Sequence, residues 1–214
     1  MRIDIVLDVI CPWCFIGKRR LERALALRPD VAAEISWRPF QLNPDISPDG
    51  MPRQDYLAVK FGGTHHAQRI YQSASEAGAA VGIPFAFERV VRTPNTQDAH
   101  RLVRRAERAG RADGLVEALF RAYFFDGADL GDRARLVEIA ARAGLERAET
   151  RRFLESDEGR SEMVAEDRAA RRIGINAVPC FIFEERYAIS GAQEPEFFLP
   201  VFDLVRNGGE AAAE

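Results

Sequence analysis

The fold of this chain is decided near its start, where residues 3–21 read IDIVLDVICPWCFIGKRRL. Residues 3–10 are mostly apolar, which is typical of a buried strand. Residues 14–27 then repeat apolar side chains with helical spacing, with polar ones on the opposite face. The sequence therefore predicts a strand that delivers two cysteines, Cys11 and Cys14, to the start of a helix.

The start of a helix favours a negatively charged sulfur. Its backbone N–H groups lack helical acceptors, and the helix dipole is positive there. We therefore expect Cys11 to have a lowered pKa, to be accessible and to act as a nucleophile. Pro12 suits the first helical position, and Cys14 is expected to face inward and to close a disulfide with Cys11.

A zinc site is one alternative for two cysteines at this spacing, and an inert pair is another. A structural zinc ion needs four ligands, and Cys180, His65, His66 and His100 supply no second pair of matching spacing. We therefore expect no bound metal and interpret the histidines as core or surface polar residues. Three cysteines also make a framework of structural disulfides unexpected, which favours a redox or nucleophilic role for the close pair.

Composition favours a globular chain and argues against two classes of partner. The 214 residues are 47% hydrophobic, and 30 basic against 33 acidic residues leave a formal charge of −3. No basic stripe interleaved with aromatic residues is present, so nucleic acid is not an expected partner. No apolar run approaches the ~20 residues that cross a bilayer, and no export signal is visible, so we predict a cytoplasmic protein without a membrane partner.

The pattern of the chain changes twice, which predicts three segments. Residues 1–50 begin as β-α-β, with a second strand at 34–40 and a long turn-rich crossing. Residues 51–156 are rich in alanine and arginine with almost no strand signal, which predicts an all-helical insertion. Residues 157–214 predict α-β-β-α, and Pro200 should kink the final helix or mark its start. The helices predicted in the insertion are 54–61, 65–81, 96–109, 112–125, 133–143 and 146–155.

Five stretches together make the chain resemble the DsbA-like branch of the thioredoxin fold. They are residues 8–17, 37–42 and 95–102, the pair Val178-Pro179, and residues 190–193. More closely, the chain resembles the FrnE-like group, which is related to 2-hydroxychromene-2-carboxylate isomerases and kappa-class glutathione transferases. The resemblance spans almost the whole chain and implies an α/β thioredoxin fold, β-α-β followed by β-β-α, with a large all-helical insertion.

The resemblance also implies roles for residues around the dithiol. Cys11 would attack a disulfide and Cys14 would resolve the mixed disulfide, so the redox-active disulfide is the working group and no bound cofactor is implied. Pro179 is expected to follow a cis peptide bond, with the backbone of Val178 presented to an extended thiol substrate. An ordinary trans proline at a strand start is the alternative.

Three residues near the dithiol modify this picture. Trp13 stands where strongly oxidising DsbA proteins have histidine, so the reduction potential is expected between those of DsbA and thioredoxin, roughly −120 and −270 mV. Cys180 departs from the family pattern, in which threonine or another small residue follows the proline. We interpret it as a small buried residue, with a third redox thiol as the alternative. Asp8 either adjusts a thiol pKa or caps a turn.

Two further stretches are candidates for binding a substrate or glutathione. Asn95 matches the asparagine of the family's Asn-Thr motif near the substrate cleft, and capping of the following helix is the alternative. Ser190, Gly191, Ala192 and Gln193 precede a helix, so their backbone N–H groups are a candidate site for the γ-glutamyl carboxylate of glutathione. Simple helix capping is the alternative there as well.

The leading hypothesis is a thiol-disulfide oxidoreductase acting on a disulfide- or thiol-containing protein or small molecule. The alternative is a glutathione-dependent isomerase or transferase, with glutathione as co-substrate and a small organic molecule as substrate. Relatives of that kind tend to have serine at the position of Cys11, which this chain does not. A non-catalytic binding or chaperone module is a third class if the dithiol is inaccessible. A homodimer is conceivable, but nothing in the sequence demonstrates one.

Overall fold

The computed structural model describes residues 1–62 and 64–208, and the side chains of His65 and His66 lie outside this description. The described residues form one sheet of four strands, in the order β2-β1-β5-β6, and one of two strands, β3-β4. β1 pairs parallel with β2 and antiparallel with β5, and β5 pairs antiparallel with β6. The strands are β1 (Arg2–Leu7), β2 (Glu34–Pro39), β3 (Met51–Pro52), β4 (Arg92–Thr93), β5 (Cys180–Phe183) and β6 (Tyr187–Ser190).

The described part of the chain also contains nine α-helices. They are α1 (Pro12–Leu27), α2 (Arg53–Phe61), α3 (Thr64–Ala80), α4 (Gln97–Arg108), α5 (Ala112–Phe124), α6 (Arg133–Arg142), α7 (Arg147–Glu155), α8 (Arg160–Arg172) and α9 (Leu199–Arg206). The order β1-α1-β2 at the start and α8-β5-β6-α9 at the end agrees with the predicted α/β thioredoxin fold. The helices α2 to α7 lie between these two halves.

The inserted helices share one core with the sheet. Phe15 of α1 stacks on Phe120 of α5, with ring centres 4.8 Å apart, and both side chains are fully buried. At the sheet edge, the backbone N–H of Trp37 in β2 donates to Glu107 of α4 at 3.2 Å. The insertion is therefore anchored both to the first helix and to the edge strand of the sheet.

α1 passes unusually close to the loop that precedes β5. A Cβ atom on Gly17 would lie 2.8 Å from Pro179 Cγ and 3.0 Å from Phe181 Cζ. Such distances are shorter than real Cβ contacts allow, so only glycine fits at this position without a shift of its neighbours. The missing side chain lets the start of α1 and the loop before β5 lie side by side.

The structure corrects the sequence predictions at several points. The sequence predicts almost no strand in the insertion, but β3 and β4 pair antiparallel, Met51 with Thr93. A strand of two residues is too short to show a period of two. Lys18, on the predicted polar face of α1, is only 4% exposed because it lies among the carboxylates of Asp113 and Glu117 from α5 and of its own helix. Pro200 stands at the start of α9, which is one of the two outcomes predicted for it and therefore needs no correction.

Candidate active site

Cys11 and Cys14 flank the first turn of α1. Cys11 is the N-cap, in extended conformation with φ −90° and ψ 115°, and Pro12 is the first helical residue, as predicted. The carbonyl oxygen of Cys11 accepts from the N–H of Cys14 at 3.1 Å and from that of Phe15 at 3.4 Å. Both cysteines are free thiols. The backbone thus places two sulfur atoms one helical turn apart at the positive end of a helix.

The expected difference in access between the two thiols is not found. Cys11 is 4% exposed and Cys14 is 2% exposed. Cys11 is covered because it lies between the end of β1 and the loop before β5, where its thiol donates to the carbonyl oxygen of Val178 at 3.6 Å. Pro12 and Trp13 are half-buried and form the surface next to it.

Cys14 is held in the protonated form. Burial raises the pKa of its thiol well above the ordinary value, and its hydrogen bond to Cys11 and the charge of Cys11 raise it further. A hydrogen bond with the backbone of Asp8 lowers this pKa, and the negative charge of Asp8 has a smaller, raising effect. Cys14 is therefore a hydrogen-bond donor to Cys11.

The loop before β5 places a backbone edge beside Cys11. The peptide bond between Val178 and Pro179 is cis, as predicted. The carbonyl oxygen of Pro179 accepts from the N–H of Gly191 at 2.8 Å, which ties this loop to the segment after β6. The Val178 carbonyl, already 3.6 Å from Cys11 Sγ, is then oriented toward the reacting sulfur.

Asp8 lies behind the dithiol and forms a pair that sequence reasoning missed. It is fully buried, its Oδ2 accepts from the N–H of Leu42 at 2.8 Å, and its Oδ1 lies 3.3 Å from His100 Nε2. His100 comes from α4 and is 2% exposed, so it belongs to the core rather than the surface. The partners are 92 residues apart in sequence, and no local motif signals such a contact.

Cys180 faces away from the dithiol. It begins β5, where it pairs with Val6 and Ser190, and it is 6% exposed. Phe181, the next residue, faces α1 at Gly17, and successive strand residues point to opposite faces of a sheet. Burial raises the pKa of the Cys180 thiol. These features favour the interpretation of Cys180 as a small buried residue.

The side chain of Asn95 is fully engaged within the protein. Its Oδ1 accepts from the N–H of Gln97 at 3.0 Å and from Gln41 Nε2 at 3.2 Å, and its Nδ2 donates to the Ile46 carbonyl at 2.9 Å. The first of these bonds satisfies a donor at the start of α4, which is the capping alternative. Asn95 also lines a polar cavity of about 360 Å³ together with Arg133.

Two of the N–H donors expected to bind an anion at residues 190–193 already have acceptors. Gly191 donates to the Pro179 carbonyl at 2.8 Å, and Gln193 donates to the Gly191 carbonyl at 3.0 Å. The side chain of Gln193 donates to Ser190 at 2.9 Å, and Arg20 donates to the Ala192 carbonyl. The segment is therefore bonded mainly to itself and to neighbouring elements.

Residues 2–202 match the family described as the DSBA-like thioredoxin domain. The chain belongs to this family. A probable DsbA oxidoreductase from Streptomyces coelicolor is 34% identical, with a TM-score of 0.88 over 100% of this chain and 92% of that one. The DsbA-like assignment therefore covers both halves of the sheet, the dithiol and the inserted helices.

More distant DsbA-like structures share the fold. A 2-hydroxychromene-2-carboxylate isomerase is 15% identical, with a TM-score of 0.70 over 99% of this chain and 100% of that one. The cytosolic disulfide reductase DsbM from Pseudomonas aeruginosa, solved with GSH, is 17% identical, with a TM-score of 0.65 over 97% and 96% of the chains. These neighbours agree with the expected FrnE-like relationship. In this DsbA-like chain, none of the described helices is long and apolar enough to span a bilayer.

Proposed function

We propose that this DsbA-like chain is a protein-disulfide oxidoreductase in which Cys11 is the attacking thiol and Cys14 the resolving thiol. The observation that carries the proposal is the pair of free thiols on the first turn of α1, with Cys14 donating to Cys11. Cys11 stands at the positive end of the helix dipole and next to the Cys14 thiol, the setting in which reactive cysteines are found. Cys14 remains protonated and available for the second step.

The reaction takes two steps. In the first, the Cys11 thiolate attacks one sulfur of a substrate disulfide, a new S–S bond forms, and the other substrate sulfur leaves as a thiolate. In the second, Cys14 attacks Cys11, its proton passes to the departing substrate sulfur, and a Cys11–Cys14 disulfide forms. The substrate gains two electrons and the protein loses two, and the reverse sequence oxidises a substrate dithiol.

The backbone at Val178 supports binding of an extended substrate. A peptide that pairs with this segment in the manner of an added strand would carry its sulfur past Cys11. Cys11 Sγ lies 3.6 Å from the Val178 carbonyl oxygen, so a substrate paired with this backbone would have its own sulfur close to Cys11. Because Cys11 is only 4% exposed, the substrate must displace neighbouring side chains, and half-buried Pro12 and Trp13 form the adjoining surface.

Glutathione is the small co-substrate that we assign to this site. The support is the shared fold with DsbM, a disulfide reductase solved with GSH. We propose the cytoplasm as the compartment. The support is that the chain has only three cysteines, all of them free, and structural disulfides are rare in cytosolic proteins. Equilibration with glutathione buffers should yield one Cys11–Cys14 disulfide per chain, with a potential between roughly −120 and −270 mV.

Three single cysteine variants test the proposal. Dithiothreitol-driven reduction of insulin should be lost in Cys11→Ser, because the attacking sulfur is gone. Cys14→Ser should accumulate a mixed disulfide on Cys11 that mass spectrometry detects, because the resolving sulfur is gone. Cys180→Ser is the matched control and should retain the wild-type rate, since Cys180 lies on the opposite face of the sheet.

Other outcomes would redirect the assignment. A glutathione-dependent activity that survives in Cys14→Ser but not in Cys11→Ser would favour the isomerase or transferase class. Wild-type rates of insulin reduction in Cys11→Ser would contradict any role for the dithiol. A Cys11–Cys180 disulfide in Cys14→Ser would show that the third thiol reaches the site, against the interpretation given above.

A further inference from the structure

A half-buried arginine stands among tyrosines at the start of α2. The backbone N–H of Arg53 donates to the Val91 carbonyl at 2.9 Å. Its Nη1 donates to Thr93 Oγ1 at 3.1 Å, and its Nη2 donates to the hydroxyl of Tyr71. The guanidinium carbon lies 5.2 Å from the centre of the Tyr56 ring and 4.9 Å from that of Tyr71. The side chain is therefore fixed from its backbone to its charged end.

The positive charge of Arg53 is not matched by a carboxylate. Among the side chains that the structure describes, none of the Asp or Glu carboxylates forms an ion pair with it. Arg38 and Arg101, which are also partly or fully buried, each pair with an aspartate. A guanidinium binds a carboxylate through two parallel hydrogen bonds, so Arg53 retains the capacity to bind one from outside the chain.

A buried hydroxyl near Arg53 also lacks a partner. Tyr123 of α5 is 1% exposed, and its hydroxyl has no hydrogen-bond partner among the described residues. The ring of its neighbour Phe124 lies 5.9 Å from that of Phe87, which lies 4.6 Å from the ring of Tyr71, so Tyr123 packs beside the group around Arg53. Burial raises the pKa of Tyr123, whereas the charge of Arg53 lowers it. An unpaired buried hydroxyl costs free energy, so a ligand oxygen at this point would restore a lost hydrogen bond.

Cys11 acts on the same tyrosines as Arg53. Burial raises the pKa of Tyr56, and it raises the pKa of Tyr71 to about 12. A charge on Cys11 raises both values further, whereas Arg53 lowers both.

Contacts along the chain link α2 to the dithiol: Lys60 of this helix donates to the Leu42 carbonyl at 3.2 Å, and the Leu42 N–H donates to the Asp8 carboxylate at 2.8 Å. The Asp8 carbonyl in turn accepts from the N–H of Cys11 at 3.0 Å, so the group around Arg53 and the dithiol lie on elements that share the segment around Leu42.

We infer that Arg53 and the hydroxyls of Tyr71 and Tyr123 form a carboxylate-binding subsite for a low-molecular-weight thiol or disulfide that reacts at Cys11. The inference rests on the proposed function, because Cys11 supplies the reacting sulfur. The carboxylate pairs with Arg53 and orients the disulfide, and it takes no part in the bond changes. Cys11 attacks one sulfur of the small disulfide, and the other sulfur leaves as a thiolate. Cys14 then attacks Cys11, and the sulfur held in the mixed disulfide leaves with the proton of Cys14.

Two aromatic disulfides, one with carboxylates and one without, test the subsite on the reduced full-length protein. 5,5′-Dithiobis(2-nitrobenzoate) carries a carboxylate on each ring, whereas 4,4′-dithiodipyridine carries none. Stopped-flow absorbance gives the rate constant of each probe, and their ratio cancels any general loss of Cys11 reactivity. Arg53→Gln should lower this ratio about tenfold, and Tyr123→Phe about threefold, because each removes one interaction with the carboxylate.

A matched variant separates binding from net charge. Arg186 is an exposed arginine between β5 and β6, so Arg186→Gln makes the same charge change at another place and should leave the ratio within twofold of wild type. Equal ratios in Arg53→Gln and wild type would overturn the subsite while leaving the proposed function intact. If the wild-type protein reacts with neither probe, the proposed function fails and the subsite with it.

Reduction of a protein disulfide tests whether the carboxylate that Arg53 binds belongs to a small molecule or to a protein substrate. Arg53→Gln should lower the rate with the nitrobenzoate probe by a much larger factor than it lowers insulin reduction, because the subsite is assigned to small molecules. A loss of insulin reduction as large as the loss with the nitrobenzoate probe would overturn that assignment. It would show that Arg53 acts on the carboxylates of protein substrates.

Discussion

Gly17 is the residue on which the geometry between α1 and the reactive loop depends most directly. The nearest atoms to a Cβ at this position would be Pro179 Cγ at 2.8 Å and Phe181 Cζ at 3.0 Å. One is in the ring next to the Val178 carbonyl and the other is in the core of the sheet. Neither can retreat without moving β5, so a methyl group here acts on stability and on the site together.

Gly17→Ala should lower the free energy of unfolding by about 1–3 kcal/mol, as other overpacked core substitutions do. It should also slow the reaction of Cys11 with a disulfide, because the loop that aligns the substrate is displaced. Gly114→Ala is the matched control: Gly114 also lies in a helix, and a Cβ added there would meet no heavy atom within 4 Å. That change should stabilise by about 0.5–1 kcal/mol.

Urea unfolding of the two variants measures the difference. If Gly17→Ala were as stable as Gly114→Ala, the close approach of α1 to the loop would not constrain the fold.

At the scale of elements, Arg101 joins α4 to the end of α7. Its side chain is fully buried, and Nη1 bonds Asp98 at 2.6 Å. Its Nη2 donates to the carbonyl oxygen of Phe153, in the last turn of α7, at 3.1 Å and to that of Ser156, just after the helix, at 2.6 Å. Nη2 and Nε both donate to the Glu158 carbonyl, at 2.7 Å and 2.9 Å. A single guanidinium thus satisfies the acceptors at a helix C-terminus, where a positive charge is also favourable.

Arg101→Met should lower the free energy of unfolding by about 3 kcal/mol, because the carbonyl groups of Phe153, Ser156 and Glu158 lose the hydrogen bonds that the buried guanidinium donates. Arg105→Met is the control on the same helix. Arg105 packs on the same Phe153 ring but forms only partly exposed ion pairs, so its loss should cost less than about 1 kcal/mol. Chemical denaturation of both variants gives the comparison, and equal losses would contradict the role assigned to Arg101.

The helices of the insertion were predictable from sequence to within one residue at every end. Helical spacing of apolar residues marks them, and Gly110, Gly127 and Gly144 stand between them at positive φ, where glycine is favoured. The short strands β3 and β4 were not predictable, because two residues carry no period. Local pattern is thus sufficient for long elements and insufficient for short ones.

Contacts between elements were predictable only where a family motif carries them. The dithiol and the cis bond before Pro179 belong to such motifs, and both stand where the sequence predicts them. The pair of Asp8 with His100 and the group around Arg53 join residues from separate elements. Their positions follow from packing rather than from spacing along the chain, so the sequence alone could not bring them together.

For the whole molecule, burial of ionisable groups predicts a loss of stability at alkaline pH. Burial raises the pKa values of Cys14, Cys180, Tyr56, Tyr71 and Tyr123. In the unfolded chain these groups lose protons near their ordinary pKa values, whereas the folded protein retains them. The unfolded state therefore binds fewer protons above about pH 9, and the free energy of unfolding falls as pH rises.

Tyr71 makes this prediction specific. Its pKa rises from 10.0 to about 12, so its contribution is present below pH 10 and is lost between there and about pH 12, on the order of 2 kcal/mol. Urea unfolding between pH 8 and pH 12 should show the decline, and Tyr71→Phe should make it shallower above pH 10. A free energy of unfolding that stays constant across this interval would contradict the burial of these groups.

The buried carboxylate of Asp8 limits how the protein can be redesigned. It takes one partner from the crossing after β2, at Leu42, and the other from α4, at His100. A miniature built by splicing residue 50 to residue 157 would remove His100 and leave the side chain of Asp8 with the Leu42 N–H as its remaining partner. Grafting the helices of a relative onto this scaffold meets the same difficulty, unless the graft brings an imidazole to the same spot or the aspartate is replaced by a neutral side chain.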